Sequence, residues 1–377
     1  MKIHYVSGSR ADFGLMSATL QGLSAVPGWD FSVILIGQAL NERYGDVEAA
    51  AVEAGLNIAA RIPAHLSGDT AHEMALAFAT EVEGLTRFWT VDRPDFVLLL
   101  GDRGEMLAAA IVAFHLAIPT GHLHGGERSG TLDDGFRHAI SKLATWHFPA
   151  TAESASRLER MGEDPERIVR VGAPGLVELS RLAVPSDWLA SRFPETVGRQ
   201  TALLLFHPVV QEADEAYDQI GAILDSLNEA RLFVIALRPN SDAGGQAIAR
   251  RLEEWAMQPE NGVLLDHLAR EDFLPTVASV DVLVGNSSSG IVESASLGTP
   301  CLNLGSRQDC RERNANVVDC PQFEAPAIRD ALARALSLVG TGPFPNIYGD
   351  GCADRRLREA LAALPLNGRA PSKRNTY

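Results

Sequence analysis

The chain has 377 residues, a length that predicts two domains of ordinary size. Hydrophobic residues make up 46% of it and charged residues 21%, a balance that excludes an intrinsically disordered chain. The net charge of −15 and the isoelectric point of about 5.1 disfavour nucleic-acid binding, which needs a basic face.

In the first half of the chain, apolar runs alternate with longer segments of helical periodicity. Strands are predicted at 3–6, 31–36, 96–100 and 119–124, and helices near 13–23 and at 105–115. Strands that are apolar throughout are typical of a parallel sheet that helices cover on both faces. The first half is therefore predicted to be an α/β unit.

The same alternation begins again near residue 202. Further strands are predicted at 203–206, 232–236, 263–265, 282–284 and 300–304, with a helix at 291–297. Prolines and polar residues interrupt the pattern between 174 and 200, so the predicted domains are 1–180 and 181–360. The sequence thus predicts an α/β fold of two successive units.

Polar residues cluster where the predicted strands end. They are Ser9 and Arg10, Asp102 and Arg103, His124 to Arg128, His207, Arg238, and Asn286 to Ser289. Parallel sheets bind ligands at the carboxyl ends of their strands. We therefore expect one ligand-binding cleft between two domains.

The segment 285–293, Gly-Asn-Ser-Ser-Ser-Gly-Ile-Val-Glu, follows one of these strands. A strand, a turn of small residues and a helix start offer free backbone N–H groups to a phosphate. Glu293, expected in the first helical turn, could accept from ribose hydroxyls. The segment predicts a nucleotide diphosphate site, and the alternative is a capped turn of an ordinary α/β unit.

Ionisable groups are dense between Asp102 and Arg137. Carboxylates gathered in one cleft raise each other's pKa, and a carboxylate of raised pKa can abstract a weakly acidic C–H proton. The alternatives are helix capping by Asp102 or by the pair Asp133 and Asp134, and a packed loop position for His207.

Arginines also concentrate near strand ends, where their guanidinium forks suit phosphate and carboxylate. The set comprises Arg10, Arg103, Arg128, Arg137, Arg238, Arg307, Arg311 and Arg313. Surface salt bridging is the favoured interpretation for Arg238 and Arg313.

The four cysteines, Cys301, Cys310, Cys320 and Cys352, form no CxxC pair and are expected to be reduced thiols. The chain opens directly on a predicted strand, so no targeting peptide is expected. No apolar run approaches the roughly 20 residues that a membrane span needs. A cytoplasmic location without membrane association is predicted.

Five motifs occur in a fixed order: GSRADFG at 8–14, LGDR at 100–103, HLHGGE at 122–127, DD and RH at 133–134 and 137–138, and GNSSSG at 285–290. From about residue 1 to about residue 345 the chain resembles the hydrolysing UDP-N-acetylglucosamine 2-epimerases. The resemblance implies a GT-B fold, in which two Rossmann-like domains with parallel sheets face across a central cleft. It also implies a UDP-binding second domain and a C-terminal helix that crosses back.

The resemblance implies removal of UDP and inversion at C2 through a glycal, without metal or cofactor. The implied catalytic residues are Asp102, His124, Glu127, Asp133 and Asp134. His124 stands where many members carry glutamate and some hydrolysing members carry histidine. The implied substrate-binding and UDP-binding residues are Arg10, Arg137, His207, Asn286, Ser287, Ser288, Ser289, Gly290, Glu293 and Arg307.

Two substrates remain open. UDP-N-acetylglucosamine feeds sialic acid synthesis, whereas UDP-N,N′-diacetylbacillosamine feeds legionaminic acid synthesis, and the run 130–140 resembles the second branch. A homodimer is the usual arrangement of the family. The rival functions are a non-hydrolysing epimerase, which the run 124–130 argues against, a GT-B glycosyltransferase, and a nucleotide-sugar sensor without catalysis.

Overall fold

The computed structural model describes residues 1–41, 46–64, 71–130, 133–240, 244–258, 260–365, 373 and 376. Residues 131 and 132 of the run that resembles the second substrate branch therefore lie outside the described residues. The chain divides into two compact units. Unit 1 comprises Met1–Ser180 and Tyr348–Tyr377, and unit 2 comprises Arg181–Ile347.

Unit 1 alternates strands and helices. Its strands are β1 (Lys2–Ser7), β2 (Asp30–Ile36), β3 (Ile58–Ile62), β4 (Phe96–Leu100), β5 (Thr120–Leu123) and β6 (Trp146–Phe148). Its helices before residue 180 are α1 (Arg10–Ser24), α2 (Val47–Glu53), α3 (Ala71–Val91), α4 (Gly104–His115), α5 (Asp133–Leu143) and α6 (Ala152–Arg160).

Unit 2 repeats this alternation. Its strands are β7 (Thr201–Leu205), β8 (Phe233–Leu237), β9 (Gly262–Leu265), β10 (Val282–Gly285), β11 (Cys301–Leu304) and β12 (Val317–Cys320). Its helices are α7 (Trp188–Arg192), α8 (Ala216–Glu229), α9 (Gly245–Ala256), α10 (Arg270–Ser279), α11 (Ser288–Val292) and α12 (Ala325–Leu336). The last helix, α13 (Ala353–Ala362), packs on α1 and so belongs to unit 1.

Both sheets are six-stranded and parallel. The strand order is β3-β2-β1-β4-β5-β6 in unit 1 and β12-β11-β10-β7-β8-β9 in unit 2. Each is the doubly wound order, in which strands are added first on one side of the unit's first strand and then on its other side. Ligands bind at the switch point between the two directions. The predicted α/β fold of two Rossmann-like units is confirmed.

The packing explains the apolar strands. In β4, Phe96 and Leu98 join one hydrophobic cluster, whereas Val97 and Leu99 join the cluster on the opposite face. Successive strand residues point to opposite faces, so a strand with helices on both sides must be apolar at every position.

Several elements differ from the sequence-based prediction. The predicted helix 291–297 is wrong, because α11 starts three residues earlier and ends at Val292. The strands β3, β6 and β12 were not predicted. Along the described part of the chain, no helix is long and apolar enough to cross a membrane.

Candidate active site

Arg137 is the centre of a charged cluster at the carboxyl edge of the unit 1 sheet. Its side chain is buried on α5, and its Nη2 donates to Asp102 Oδ2 beyond the end of β4. Nη1 donates to the carbonyl oxygen of His124 at 3.2 Å and lies 3.9 Å from Glu127 Oε2. Its Nε lies 3.8 Å from Asp134 Oδ1. One guanidinium therefore gathers three carboxylates and the turn after β5.

The turn after β5 holds His124 in a conformation that few side-chain-bearing residues adopt. Its φ is +59°, in the left-handed region. Its Nδ1 lies 2.5 Å from Oε1 of the buried Glu127. Its Nε2 is buried without a hydrogen-bond partner among the described residues. Backbone strain of this kind concentrates at functional sites, which makes His124 a candidate functional residue.

The two aspartates at the start of α5 differ in environment. Asp134 accepts from the Ser129 amide at 3.0 Å, the Ser129 hydroxyl at 3.1 Å and the Gly130 amide at 3.1 Å. Burial raises the pKa of Asp134, but these hydrogen bonds outweigh it and hold the pKa below its usual value. The expected mutual rise of carboxylate pKa values is therefore wrong at this residue. Asp133, in contrast, is exposed.

Arg10, predicted to bind the diphosphate, is the exposed first residue of α1. The loop before it is organised by Asp12, which the sequence prediction did not single out. Asp12 accepts from Ser7 Oγ at 2.6 Å, the Gly8 amide at 3.0 Å and Ser9 Oγ at 2.9 Å. Burial raises its pKa to about 6 despite these bonds. The available signal was the capping spacing of Ser9 and Asp12.

A second acidic group near this edge was also missed. Arg103 Nη2 lies 3.1 Å from Glu105 Oε1, at the start of α4. A Cβ on Gly37 would lie 2.6 Å from Glu81 Oε1 and 3.0 Å from Glu105 Cγ, so the two glutamates converge on that glycine. Burial, and secondly the Glu105 charge, raise the pKa of Glu81 to about 8.

In unit 2, Asn286 connects the ends of β7 and β10 at the switch point. Its Oδ1 accepts from the His207 amide at 2.8 Å, and its Nδ2 donates to the His207 carbonyl oxygen at 2.8 Å. The Asn286 carbonyl oxygen accepts from Arg307 Nη1 at 3.1 Å and from Gln308 Nε2 at 2.9 Å. Three of the predicted UDP-binding residues, Asn286, His207 and Arg307, are thus held together.

The tautomer of His207 follows from its partner. The Asn240 amide donates to Nδ1 at 3.1 Å, so Nδ1 is an acceptor and Nε2 carries the proton. Burial, and secondly the Arg307 charge, lower the pKa of His207 to about 3. The ring is therefore neutral at physiological pH and presents one N–H donor.

The serine turn lies between β10 and α11. Ser287 is the N-cap residue, and its hydroxyl accepts from the Ser289 amide at 3.4 Å. Ser289 Oγ donates to Glu293 Oε2, and Arg270 Nη2 donates to Glu293 Oε1 at 2.8 Å. The first-turn position expected for Glu293 is wrong, because α11 is short and Glu293 lies at its C-cap. Arg270 was missed, and no local pattern signals a partner 23 residues away.

The remaining members of this turn differ in exposure. Ser288 exposes its side chain. Gly290 is packed so closely that a Cβ there would lie 2.5 Å from Cys301 Sγ. Outside the turn, Arg238 and Arg313 form ion pairs with Asp266 and Asp319, as the salt-bridge interpretation predicts. Among the described residues, no group of three or more His, Cys, Asp or Glu side chains could hold a metal ion.

Two doubly wound units, one with an acid–arginine cluster and one with a serine turn at its switch point, define an α/β protein of the GT-B class. Among solved structures, it is similar to UDP-GlcNAc 2-epimerase from Neisseria meningitidis bound to UDP-GlcNAc. The TM-score is 0.82 at 19% identity, covering 97% of this chain and 100% of that one.

The model of the UDP-N-acetylglucosamine 2-epimerase family matches residues 21–362. The chain is 42% identical over its whole length to the UDP-N,N′-diacetylbacillosamine 2-epimerase (hydrolyzing) of Legionella pneumophila, covering 99% of that protein. It is 28% identical to the UDP-N-acetylglucosamine 2-epimerase of Neisseria meningitidis over 89% of this chain and 88% of that one. The chain belongs to the UDP-N-acetylglucosamine 2-epimerase family and is an enzyme of the hydrolysing type.

Proposed function

We propose that this chain converts a UDP-2-acetamido sugar and water into UDP and the free sugar inverted at C2. The observation that carries the proposal is the cluster around Arg137, where Asp102, His124 and Glu127 combine acid–base groups with one buried cation. Proton transfer at carbon requires such positioned groups. The 42% identity to a hydrolysing 2-epimerase supports the same conclusion.

The reaction divides into an elimination and an addition. A base removes the C2 proton while the C1–O bond breaks, its electron pair leaves with UDP, and a C1=C2 glycal forms. Water then adds its hydroxyl at C1, and C2 receives a proton on the opposite face. The sum consumes one water and releases one proton to the departing UDP or to solvent, so the acid–base groups return to their starting protonation.

In unit 1, Asp102 is the proposed base, because Arg137 fixes its carboxylate beyond the end of β4. His124 is the proposed second proton-transfer group, through Nε2, which has no hydrogen-bond partner in the described part of the chain. Glu127 orients its ring through Nδ1. Asp134 holds the 129–130 turn with its hydrogen bonds. Asp133 remains a predicted catalytic residue.

In unit 2, the neutral His207 is proposed to donate its Nε2–H to a diphosphate oxygen. Arg307 is proposed to supply positive charge, and Arg10 remains a predicted substrate-binding residue. The serine turn, Asn286, Ser287, Ser288, Ser289 and Gly290, is proposed to bind the diphosphate, with Glu293 binding the ribose. A helix start with free N–H groups favours such an anion.

The sugar is proposed to be the 2,4-diacetamido-2,4,6-trideoxy sugar of UDP-N,N′-diacetylbacillosamine, with UDP-N-acetylglucosamine as the second candidate. The observation that favours the first is the higher identity, 42% against 28%, to the relative named for it. The two sugars differ at C4 and C6, so kcat/KM for each, measured with one enzyme preparation, separates them.

Proton NMR of the products in heavy water tests the function. We expect free UDP and a free sugar of inverted C2 configuration that carries deuterium at C2. Recovery of UDP-linked sugar alone would identify a non-hydrolysing epimerase. UDP release only when an acceptor is added would identify a glycosyltransferase, and tight binding without turnover would identify a sensor.

We also propose that the enzyme acts as a homodimer in the cytoplasm. The support is the usual arrangement of the resembled family and the expected reduced state of the cysteines. Light scattering of the purified chain tests the dimer, and a monomer at micromolar concentration would contradict it.

A further inference from the structure

One fully buried histidine, His122 on β5, contacts two segments that carry the proposed acid–base groups. Its Nε2 lies 2.7 Å from the carbonyl oxygen of Gly101, and its Nδ1 lies 3.0 Å from Ser141 Oγ. Gly101 follows β4, and Ser141 is on α5. The imidazole therefore joins a strand end to a helix that lies beside it.

The roles of the two ring nitrogens follow from these partners. A carbonyl oxygen can only accept, so Nε2 of His122 carries the proton and donates to Gly101. Nδ1 then accepts from the Ser141 hydroxyl. Burial lowers the pKa of His122 to about 3, so the ring stays neutral and keeps this arrangement at physiological pH.

Both partners are close in sequence to the central ion pair of the cluster. Gly101 immediately precedes Asp102, and Ser141 lies four residues, about one helical turn, after Arg137. Arg137 donates to Asp102 across the gap that His122 spans. The imidazole therefore connects the two segments that carry the proposed base and the guanidinium.

The turn that carries His124 and Glu127 also packs on this imidazole. A Cβ on Gly125 would lie 2.9 Å from His122 Nδ1 and 3.1 Å from Ser141 Oγ. The backbone at Gly125 thus lies directly against the hydrogen bond between ring and hydroxyl. Three segments of the cluster meet at one ring that itself contributes no group to the proposed chemistry.

We propose that His122 is a positioning residue that fixes Asp102 and Arg137 for proton transfer at C2, a role that rests on the proposed function. It acts through the Gly101 carbonyl and the Ser141 hydroxyl and does not contact the sugar. A displacement of about 1 Å in a reacting group can lower a rate by about 100-fold, which sets the size of the expected effect.

The adjacent strand provides a matched control. His147 on β6 pairs with His122 in register and is also buried. Its Nε2 lies 2.9 Å from Glu163 Oε2, away from the Arg137 cluster. Substitution of His147 therefore measures what the loss of a buried histidine costs in stability without disturbing the Gly101–Ser141 connection.

The variants are His122→Leu, His122→Gln, Ser141→Ala and His147→Gln, compared by kcat, KM, UDP affinity and the isotope effect of a C2-deuterated substrate. For His122→Leu we expect kcat about 10- to 100-fold lower, KM within about threefold and a larger isotope effect, because misalignment slows C–H cleavage. His122→Gln, whose amide N–H can still reach Gly101, retains more activity. Ser141→Ala loses about 3- to 10-fold in kcat, and His147→Gln changes only the melting temperature.

Wild-type kcat in His122→Leu would overturn the proposal. An equal loss of kcat in His122→Leu and His147→Gln would also overturn it. If His122→Leu does not fold, Ser141→Ala with unchanged kcat and isotope effect overturns it instead. Nitrogen-15 NMR tests the hydrogen bonds of His122 to Gly101 and Ser141 without catalysis. We expect a His122 ring protonated at Nε2 and an Arg137 signal that shifts in Ser141→Ala. An inactive wild type with these NMR signals would contradict the proposed function alone, and an unshifted Arg137 signal would contradict the positioning role.

Discussion

The two units have the same strand order but place different chemistry at the switch point. In unit 1, the residues after β4 and β5 are Asp102, His124 and Glu127, gathered by Arg137. In unit 2, the residues after β7 and β10 are a neutral histidine, an asparagine and three serines. One topology thus supports a charged cluster in one unit and a set of neutral hydrogen-bonding groups in the other.

The difference fits two physical tasks. Proton transfer at carbon needs groups that change protonation and a fixed cation that stabilises developing charge. Binding a diphosphate needs donors that keep their protons, and His207 satisfies this because burial keeps its ring neutral and Asn240 sets its tautomer. We therefore infer that unit 1 determines kcat and unit 2 determines nucleotide affinity.

The largest expected effect comes from Asp102→Asn, which removes the charge of the proposed base and keeps its size. We expect kcat to fall by about 10²- to 10⁴-fold, the usual contribution of an acid–base group. UDP affinity, measured by calorimetry, should stay within about threefold, because this residue is in unit 1. Asp30→Asn, at the exposed start of β2, is the matched control. Equal losses of kcat and UDP affinity would contradict the division of tasks, and near-normal turnover would show that another carboxylate is the base.

The next effect is expected from Glu127→Gln, which keeps the packing beside His124 but removes the charge that faces Nδ1. Loss of the orienting carboxylate should lower kcat by about 10- to 100-fold, less than loss of the base itself. The rate of UDP release under saturating substrate measures kcat. Glu153→Gln on α6 removes an exposed glutamate of the same unit as a control. If Glu127→Gln raised KM without lowering kcat, the residue would be a binding group.

Much of this organisation could be predicted from sequence, because the apolar runs and the polar residues that follow them are local patterns. The carboxyl-edge placement of Asp102, His207 and Asn286 needed only a parallel sheet. The strands β3, β6 and β12 were missed because they are short or lack a continuous apolar run. Glu293 was misplaced because the helix after the serine turn is only five residues long.

The missed residues share a different cause. Arg270 pairs with Glu293 across 23 residues, and His122 contacts Ser141 across 19. Glu81 lies on the long helix α3, and it comes near Glu105 because α3 packs on α4 and both side chains converge on Gly37. Tertiary contacts of this kind have no periodicity or spacing, so a single sequence carries no signal for them.

A smaller effect is expected from Ser289→Ala in unit 2. The hydroxyl donates to Glu293 and is proposed to serve the nucleotide equally in ground and transition states. Loss of about one hydrogen bond, roughly 0.5–1.5 kcal/mol, should raise KM by about 3- to 10-fold with little change in kcat. Ser279→Ala removes a hydroxyl that donates to the Pro275 carbonyl oxygen within α10 and is the control. A loss in kcat alone would place Ser289 in the chemistry and break the comparison.

The last prediction concerns stability and tests the acidic character of unit 1. The folded-state pKa of Glu81 is raised to about 8 from 4.5, so the folded chain binds this proton more tightly than the unfolded chain. Its contribution to stability is complete below about pH 4.5 and is lost as the pH rises through about 8, at roughly 1.4 kcal/mol per pH unit. Glu81→Gln cannot ionise, so its free energy of unfolding should fall less between pH 5 and pH 8 than that of the wild type.

Urea unfolding at both pH values measures the difference, with Glu83→Gln, an exposed neighbour on α3 paired with Arg87, as the control. Parallel pH curves for wild type and Glu81→Gln would mean that Glu81 ionises normally, and the buried acid pair with Glu105 would not distinguish unit 1.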